Sequence, residues 1–181
     1  KGNLLLIDCR SNKGELVPMN DPTVSIIVCN SNNKHELTGS EYPDRVRQCK
    51  EALAIIQGKY PEVKALRDAT VEQAESLKQE MDDVTYRRAI HVVSECDRVL
   101  ECRKALEAKD YKRVGQLLYQ SHESLKNNFE VSTPEIDTLV EIASQQPGVF
   151  GARITGGGFG GCIVCFVETE KAADVMKALE K

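Results

Sequence analysis

A chain of 181 residues is long enough for one sizeable domain, or for a domain with part of another. Its 28 acidic residues against 24 Lys and Arg leave a net charge of −4, which excludes the basic footprint of a nucleic-acid partner. No apolar run reaches the ~20 residues of a membrane span, and the seven cysteines, odd in number and irregularly spaced, read as free thiols of a reducing, cytoplasmic setting.

Taken in chain order, residues 3–9 and 23–30 are short runs of β-formers and read as strands, with a weaker strand over 15–19 and a turn at Asn12-Lys13-Gly14. Asp8, Arg10 and Glu15 keep the first twenty residues from resembling a secretory signal. Val46, Cys49, Leu53 and Ile56 share one helical face, and Gly58 fits a stop. A short polar helix is expected over 70–81. A long amphipathic helix is expected from Tyr86 to Leu106, with Ala89, Val92, Val93, Cys96, Val99, Leu100 and Leu106 inward. Asp110 caps a further helix with Val114, Leu117, Leu118 and Leu125 on its face. Ser132-Thr133-Pro134-Glu135 combines a capping-box spacing with a first-turn proline, ahead of Ile136, Leu139, Val140 and Ala143. Two strands follow, Val149–Ile154 and Cys162–Val167, then a helix with Ala172, Val175, Met176 and Leu179 inward. Cys162 and Cys165 form a C-x-x-C, but three positions apart on a strand they point to opposite faces and make a poor metal or redox pair.

The sharpest local feature is Thr155-Gly-Gly-Gly-Phe-Gly-Gly161. Glycines let a backbone adopt positive φ and approach another group closely, and free N–H groups in such a loop can cradle an anion. A dinucleotide fingerprint would continue into a helix, whereas a strand follows here, and a Walker loop would end in Lys-Ser/Thr. A wide hairpin turn remains an alternative, although a hairpin needs fewer glycines than this. The bulky Phe159 suggests that the loop packs on something. The second feature is the segment from Asn30 to Pro43, dense in Asn, Ser, Thr, His and Tyr. Ser40 can cap the next helix with Pro43 in its first turn, which sets Tyr42 at the helix start. The lining suits a polyhydroxylated ligand, and equally a capped loop of solvated polar residues.

These segments carry a resemblance. Gly151-Ala-Arg-Ile-Thr-Gly-Gly-Gly-Phe-Gly-Gly-Cys162 resembles the third conserved motif of galactokinases, which are sugar kinases of the GHMP superfamily. Asn30-Ser-Asn, His35, Ser40-Glu-Tyr-Pro43, Arg45 and Cys49 are similar to a galactokinase segment that other GHMP kinases lack in this form. Leu5-Leu-Ile-Asp-Cys-Arg10, Arg87-Arg-Ala-Ile-His-Val-Val93, Ser121-His122, Ser124-Leu125, Glu130-Val-Ser132 and Glu135-Ile-Asp137 match in the family's order, over nearly the whole chain. Mevalonate and homoserine kinases, members of the same superfamily, are disfavoured by Tyr42 and its flanks.

The resemblance implies an α+β fold: the GHMP kinase C-terminal domain, a ferredoxin-like antiparallel sheet with packed helices and a helical insertion. Residues 1–20 would be a remnant of the N-terminal lobe and 21–181 the C-terminal domain, with the chain short at both ends. The implied activity is ATP-dependent phosphorylation of α-D-galactose to galactose 1-phosphate with Mg²⁺. A galactokinase-like regulatory protein that binds sugar and ATP without turnover is the second reading. The catalytic carboxylate and the phosphate loop belong to the missing N-terminal lobe, so no catalytic or metal-binding residue is expected here, ATP and Mg²⁺ would be held mainly by that lobe, and the isolated chain is expected to be an inactive monomer. By resemblance Tyr42 binds the sugar. Gly156, Gly157, Gly158, Phe159 and Gly160 form the glycine motif at the cleft, where they support the phosphate loop. Lys34 stands near the nucleotide, although a solvated lysine explains it as well. Arg87, Arg88, His91 and His122 are read as structural.

Overall fold

The computed structural model describes residues 2–32 and 41–180. Two strands, β1 (Asn3–Asp8) and β2 (Lys13–Pro18), pair antiparallel as a separate hairpin. The turn occupies residues 9–12, with Asn12 at φ 55°, so Lys13 and Gly14 belong to the strand rather than to the expected turn. β3 (Val24–Asn30) is followed by α1 (Glu41–Lys59), the short α2 (Val71–Glu75), α3 (Asp83–Glu107), α4 (Tyr111–Asn127) and α5 (Pro134–Ser144). β4 (Val149–Thr155), β5 (Cys162–Glu168) and α6 (Ala172–Leu179) complete the described chain.

The second sheet is antiparallel in the order β3-β5-β4. Strand, helices, strand, strand, helix is the run of a ferredoxin-like unit, as expected. The central strand β5 is apolar throughout because both its faces are covered. One face, with Ile163, Cys165 and Val167, packs on Ile136, Val140 and Ala143 of α5 and Val175 and Leu179 of α6. The other face sets Phe166 and Val24 against Val114 and Ala105. A third cluster joins α1, α2, the turn after it and α3 through Ala52, Ile56, Ala74, Leu77, Ala89 and Val93, which gives the helical insertion a core of its own.

Several boundaries and faces differ from the sequence reading. Gly58 lies inside the last turn of α1. The polar helix of 70–81 breaks after Glu75 into a turn and a single 3₁₀ turn at Lys78–Glu80, so that Leu77 can enter the core. The cap of α5 is Thr133, whose hydroxyl accepts the Ile136 N–H at 3.4 Å, while Ser132 donates to Asp137 instead. Val99, Leu100 and Met176, expected inward, are 42%, 54% and 45% exposed. The inward face of α3 is partly polar: Arg88, His91 and Thr85 are buried on it. α4 approaches β4 so closely that a Cβ on Gly115 would stand 1.9 Å from the Phe150 carbonyl oxygen.

Candidate active-site edge

The glycine loop joins β4 to β5, whose last pairing is Thr155 with Cys162. At the same end of the sheet Asn30, the last residue of β3, pairs with the other side of Cys162, and the Ser31 N–H donates to the Gly161 carbonyl at 2.8 Å. The polar segment therefore leaves the sheet from the foot of the glycine loop. Lys34, His35 and Ser40, and with them the expected nucleotide-proximal role and helix cap, lie outside the described residues. The chain is described again from Glu41, and Tyr42, in the first turn of α1, is 62% exposed. One turn further on, Arg45 holds its guanidinium 5.7 Å from the centre of the Phe159 ring, a cation–π contact between α1 and the loop. Tyr42 and Arg45 are three residues apart and hence neighbours along the helix.

What fixes this arrangement is the stretch where α4 ends. The last carbonyls of a helix have no partner within it. Here five consecutive carbonyls are met from outside. Arg87 Nη1 donates to the Asn127 carbonyl at 2.8 Å and Arg88 Nη1 to that of Asn128. Arg45 donates through Nε to Phe129 at 2.6 Å and through Nη2 to Glu130 at 2.8 Å. The Phe159 N–H takes the fifth, Val131, at 2.5 Å. Cations suit a helix C-terminus for the same electrostatic reason. Glu130, left-handed at φ 54°, turns the chain out of the helix and sets its carboxylate between Arg87 and Arg88. Partial burial pushes that carboxyl up, but the hydrogen bonds and charges of the two arginines outweigh it and hold it below the usual range.

The histidines of this region are structural. His91 stacks on Phe129 at 4.4 Å, and its Nδ1 lies 2.9 Å from the Ser124 hydroxyl. Burial pushes its pKa down to about 4, so the ring is neutral at physiological pH. His122 accepts the Ile154 N–H at Nδ1, at 3.4 Å, and sets Nε2 3.4 Å from Asp137; burial lowers its pKa as well. Cys162 and Cys165 do not pair, and burial pushes the Cys165 thiol up to about 12.

Within the loop the glycines answer to different neighbours. Gly158, at φ +86°, would place a Cβ 2.6 Å from Val131 Cβ, and Phe159 follows at φ 58°. This half of the loop is seated on Val131, as the bulk of Phe159 suggested. Gly160 has φ 114°. Gly157 has neither a left-handed φ nor any atom within 4 Å of a Cβ built on it. Nothing in the described chain requires glycine there. Sequence reasoning gave no role to Arg45 or Val131, which connect the two motifs; the available signal was the unpaired end of α4 beside an arginine-rich helix face. Among the described residues no group of three or more His, Cys, Asp or Glu side chains stands close enough to hold a metal ion.

A family model described as GHMP kinases C terminal matches residues 102–181. That match begins near the end of α3 and runs to residue 181. The similarity of the chain to known proteins runs on beyond that match. The chain is 44% identical over 181 residues to a galactokinase of Bos taurus, covering all of this chain and 45% of that protein. It is 45% identical over 185 residues to a galactokinase of Actinobacillus pleuropneumoniae serotype 3, covering 99% of this chain and 46% of that protein. The crystal structure of Lactococcus lactis galactokinase complexed with galactose superposes with a TM-score of 0.92 at 35% identity, over 98% of this chain and 46% of that one. The chain thus spans about 45% of the length of the curated relatives it matches. No helix among the described residues is long and apolar enough to cross a membrane.

Proposed function

We propose that this chain is the C-terminal part of a galactokinase, which transfers a phosphoryl group from ATP to the anomeric hydroxyl of galactose. The observation that supports the reading is Gly157, a glycine that the described residues do not explain, in a loop tied through Phe159 and Arg45 to the helix turn bearing Tyr42. Its missing side chain leaves room for something beyond the described residues. In this reading Tyr42 offers its exposed hydroxyl to a sugar hydroxyl. Gly156, Gly157, Gly158, Phe159 and Gly160 form the edge of the cleft and support the phosphate loop of the N-terminal lobe. Lys34 lies near the nucleotide.

Phosphoryl transfer depends on positioning and on electrostatic stabilisation of the transferred group. The residues present fit a share of that task limited to positioning. They supply a sugar-facing hydroxyl and a backbone edge, while Mg²⁺ and most of the ATP contacts fall to the other lobe. ATP, when bound, supplies the phosphoryl group.

Residues 1–20 belong, in the same proposal, to that other lobe. Their hairpin is a sheet of its own, fastened to the rest by Asp8–Arg67, Arg10–Asp68 and Glu15–Arg103. Leu5, Ile7 and Leu16, on one face of it, are 59%, 56% and 65% exposed, an apolar surface suited to continuing a larger core.

The test is galactose-dependent ADP release by the intact protein. Tyr42→Phe should raise the KM for galactose by about fivefold, the worth of one hydrogen bond, and leave the KM for ATP in place. ADP release that galactose does not accelerate would sink the proposal.

A further inference from the structure

A cavity of about 180 Å³ lies between the β1–β2 hairpin and helices α3 and α4, away from the glycine loop. A dry cavity of roughly 150 Å³ is enough to hold benzene, so this one accepts an apolar body of about six carbons. Leu4, Leu6 and Val17 of the hairpin face Val99, Leu117 and Leu118 of the helices across it. The lining also contains Glu95, Arg98 and Arg153, with Ser121 beside them. An apolar cavity with a few convergent polar groups is the usual form of a small-molecule site.

The charges in that cluster do not balance. Arg98 Nη2 donates to the Ser94 hydroxyl at 2.8 Å and reaches Glu95 only at 3.4 Å. Arg153 Nη1 donates to the Ser121 hydroxyl at 2.8 Å and stands 3.9 Å from the same carboxylate. Two guanidiniums therefore share one distant carboxylate. The third arginine of the lining, Arg103, is already held by Glu15 and Glu107 at 2.5 and 3.0 Å. The Arg98 Nε is buried and finds no acceptor among the described residues. A buried N–H of a cation without an acceptor is costly, which marks Arg98 as incompletely satisfied.

We infer that this cavity is a binding site for a small monocarboxylate with an apolar tail, its carboxylate on Arg98 and Arg153 and its tail between the hairpin and the helices. A single carboxylate would bridge two guanidiniums that share only Glu95 between them. A planar carboxylate also matches the donor fork of a guanidinium. The inference is independent of the kinase reading.

Isothermal titration of the intact protein with sodium hexanoate tests it, with hexan-1-ol as the uncharged comparator. Hexanoate should bind saturably and about tenfold or more tighter than hexanol, as a charge-assisted contact predicts. Arg98→Met should remove that advantage. If Arg98→Met does not fold, Val99→Trp, at a partly exposed wall position, should fill the cavity and abolish binding. The inference is overturned by the absence of saturable heat, by equal affinity for hexanol, by undiminished binding to either variant, or by inorganic phosphate binding as tightly as hexanoate.

Discussion

β4 has a glycine near its start and a glycine run after its end, and the two places answer to different demands. Near the start, Gly151 and Gly115 of α4 lie against each other's backbones, and a Cβ on either would stand within 2.3 Å of a carbonyl oxygen. Past the other end, no described residue beyond the chain neighbours lies within 4 Å of where a Cβ on Gly156 or Gly157 would be, though Gly156, at φ +87°, needs glycine for its backbone. The first pair lets a helix lie flat on a strand, so its purpose is visible inside the chain. At Gly157 the described residues supply no such reason. Gly158 belongs with the first kind although it sits beside Gly157, because Val131 fills the space over it. A glycine run is thus not one feature, and its neighbours divide it into a packed base and an open tip.

Gly115→Val offers the harshest way to break this contrast. A side chain driven into the Phe150 backbone should cost about 4 kcal/mol or more, read as loss of folded protein or a large shift of the urea midpoint. A variant of ordinary stability would mean that the close approach does not hold α4 on β4. Arg88→Met comes next. It strips one donor from the α4 end and leaves the Asn128 carbonyl unmet. Because Arg87 still pairs with Glu130, itself partly exposed, the expected loss is about 2 kcal/mol by denaturant unfolding.

Acid should act through His91. Its folded pKa of about 4 lies below the ordinary 6.5, so between those values the unfolded chain binds a proton that the folded chain refuses. Stability is then complete above pH 6.5 and falls as the pH drops towards 4, by on the order of 2–3 kcal/mol. His91→Gln should flatten that slope, leaving the part due to His122, which is shifted in the same direction. An unchanged slope would remove His91 as its source.

The mildest effect on folding is expected from Gly157→Ala, within about 0.5 kcal/mol. The same change should lower galactose-dependent turnover by the intact protein about tenfold or more, since small misplacements at a reacting site are costly. Full activity in this variant would sink the idea that the open tip serves the cleft.

Much of the framework was legible in the sequence because it rests on local chemistry. Alternating β-formers marked the strands, and Asp110 caps α4 through the Arg113 N–H as its position suggested. What escaped was long-range demand. A period of 3.6 placed Val99 and Leu100 inward, but the packed face of α3 goes to Arg88 and His91, because the end of α4 needs donors and Phe129 needs a stacking partner. That need arises about forty residues away, beyond any local pattern. Leu77 shows the same in miniature: a residue inside a polar stretch is fully buried because the helix breaks to admit it. Of the candidate site, Tyr42 and the glycine loop were legible as motifs. Their connection through Arg45 and Phe159 was not, since a cation–π contact leaves no spacing to read.

The run of carbonyls from Asn127 to Val131 has a consequence for how this region tolerates change. Its acceptors are main chain, so replacing a side chain does not delete them. All the vulnerability is moved to the donors, and three of the five contacted carbonyls depend on Arg45 and Arg88. Changes at Asn127 and Asn128 leave these acceptors in place, whereas Glu130 also supplies the carboxylate that pairs with Arg87 and the buried Arg88, and a lysine in place of Arg45 or Arg88 loses the forked reach that meets two acceptors at once. The joint between helices α1, α3 and α4 and the glycine loop therefore keeps its acceptors through most substitutions and is brittle at its donors, Arg45 and Arg88, and at the Glu130 carboxylate that holds the second of them.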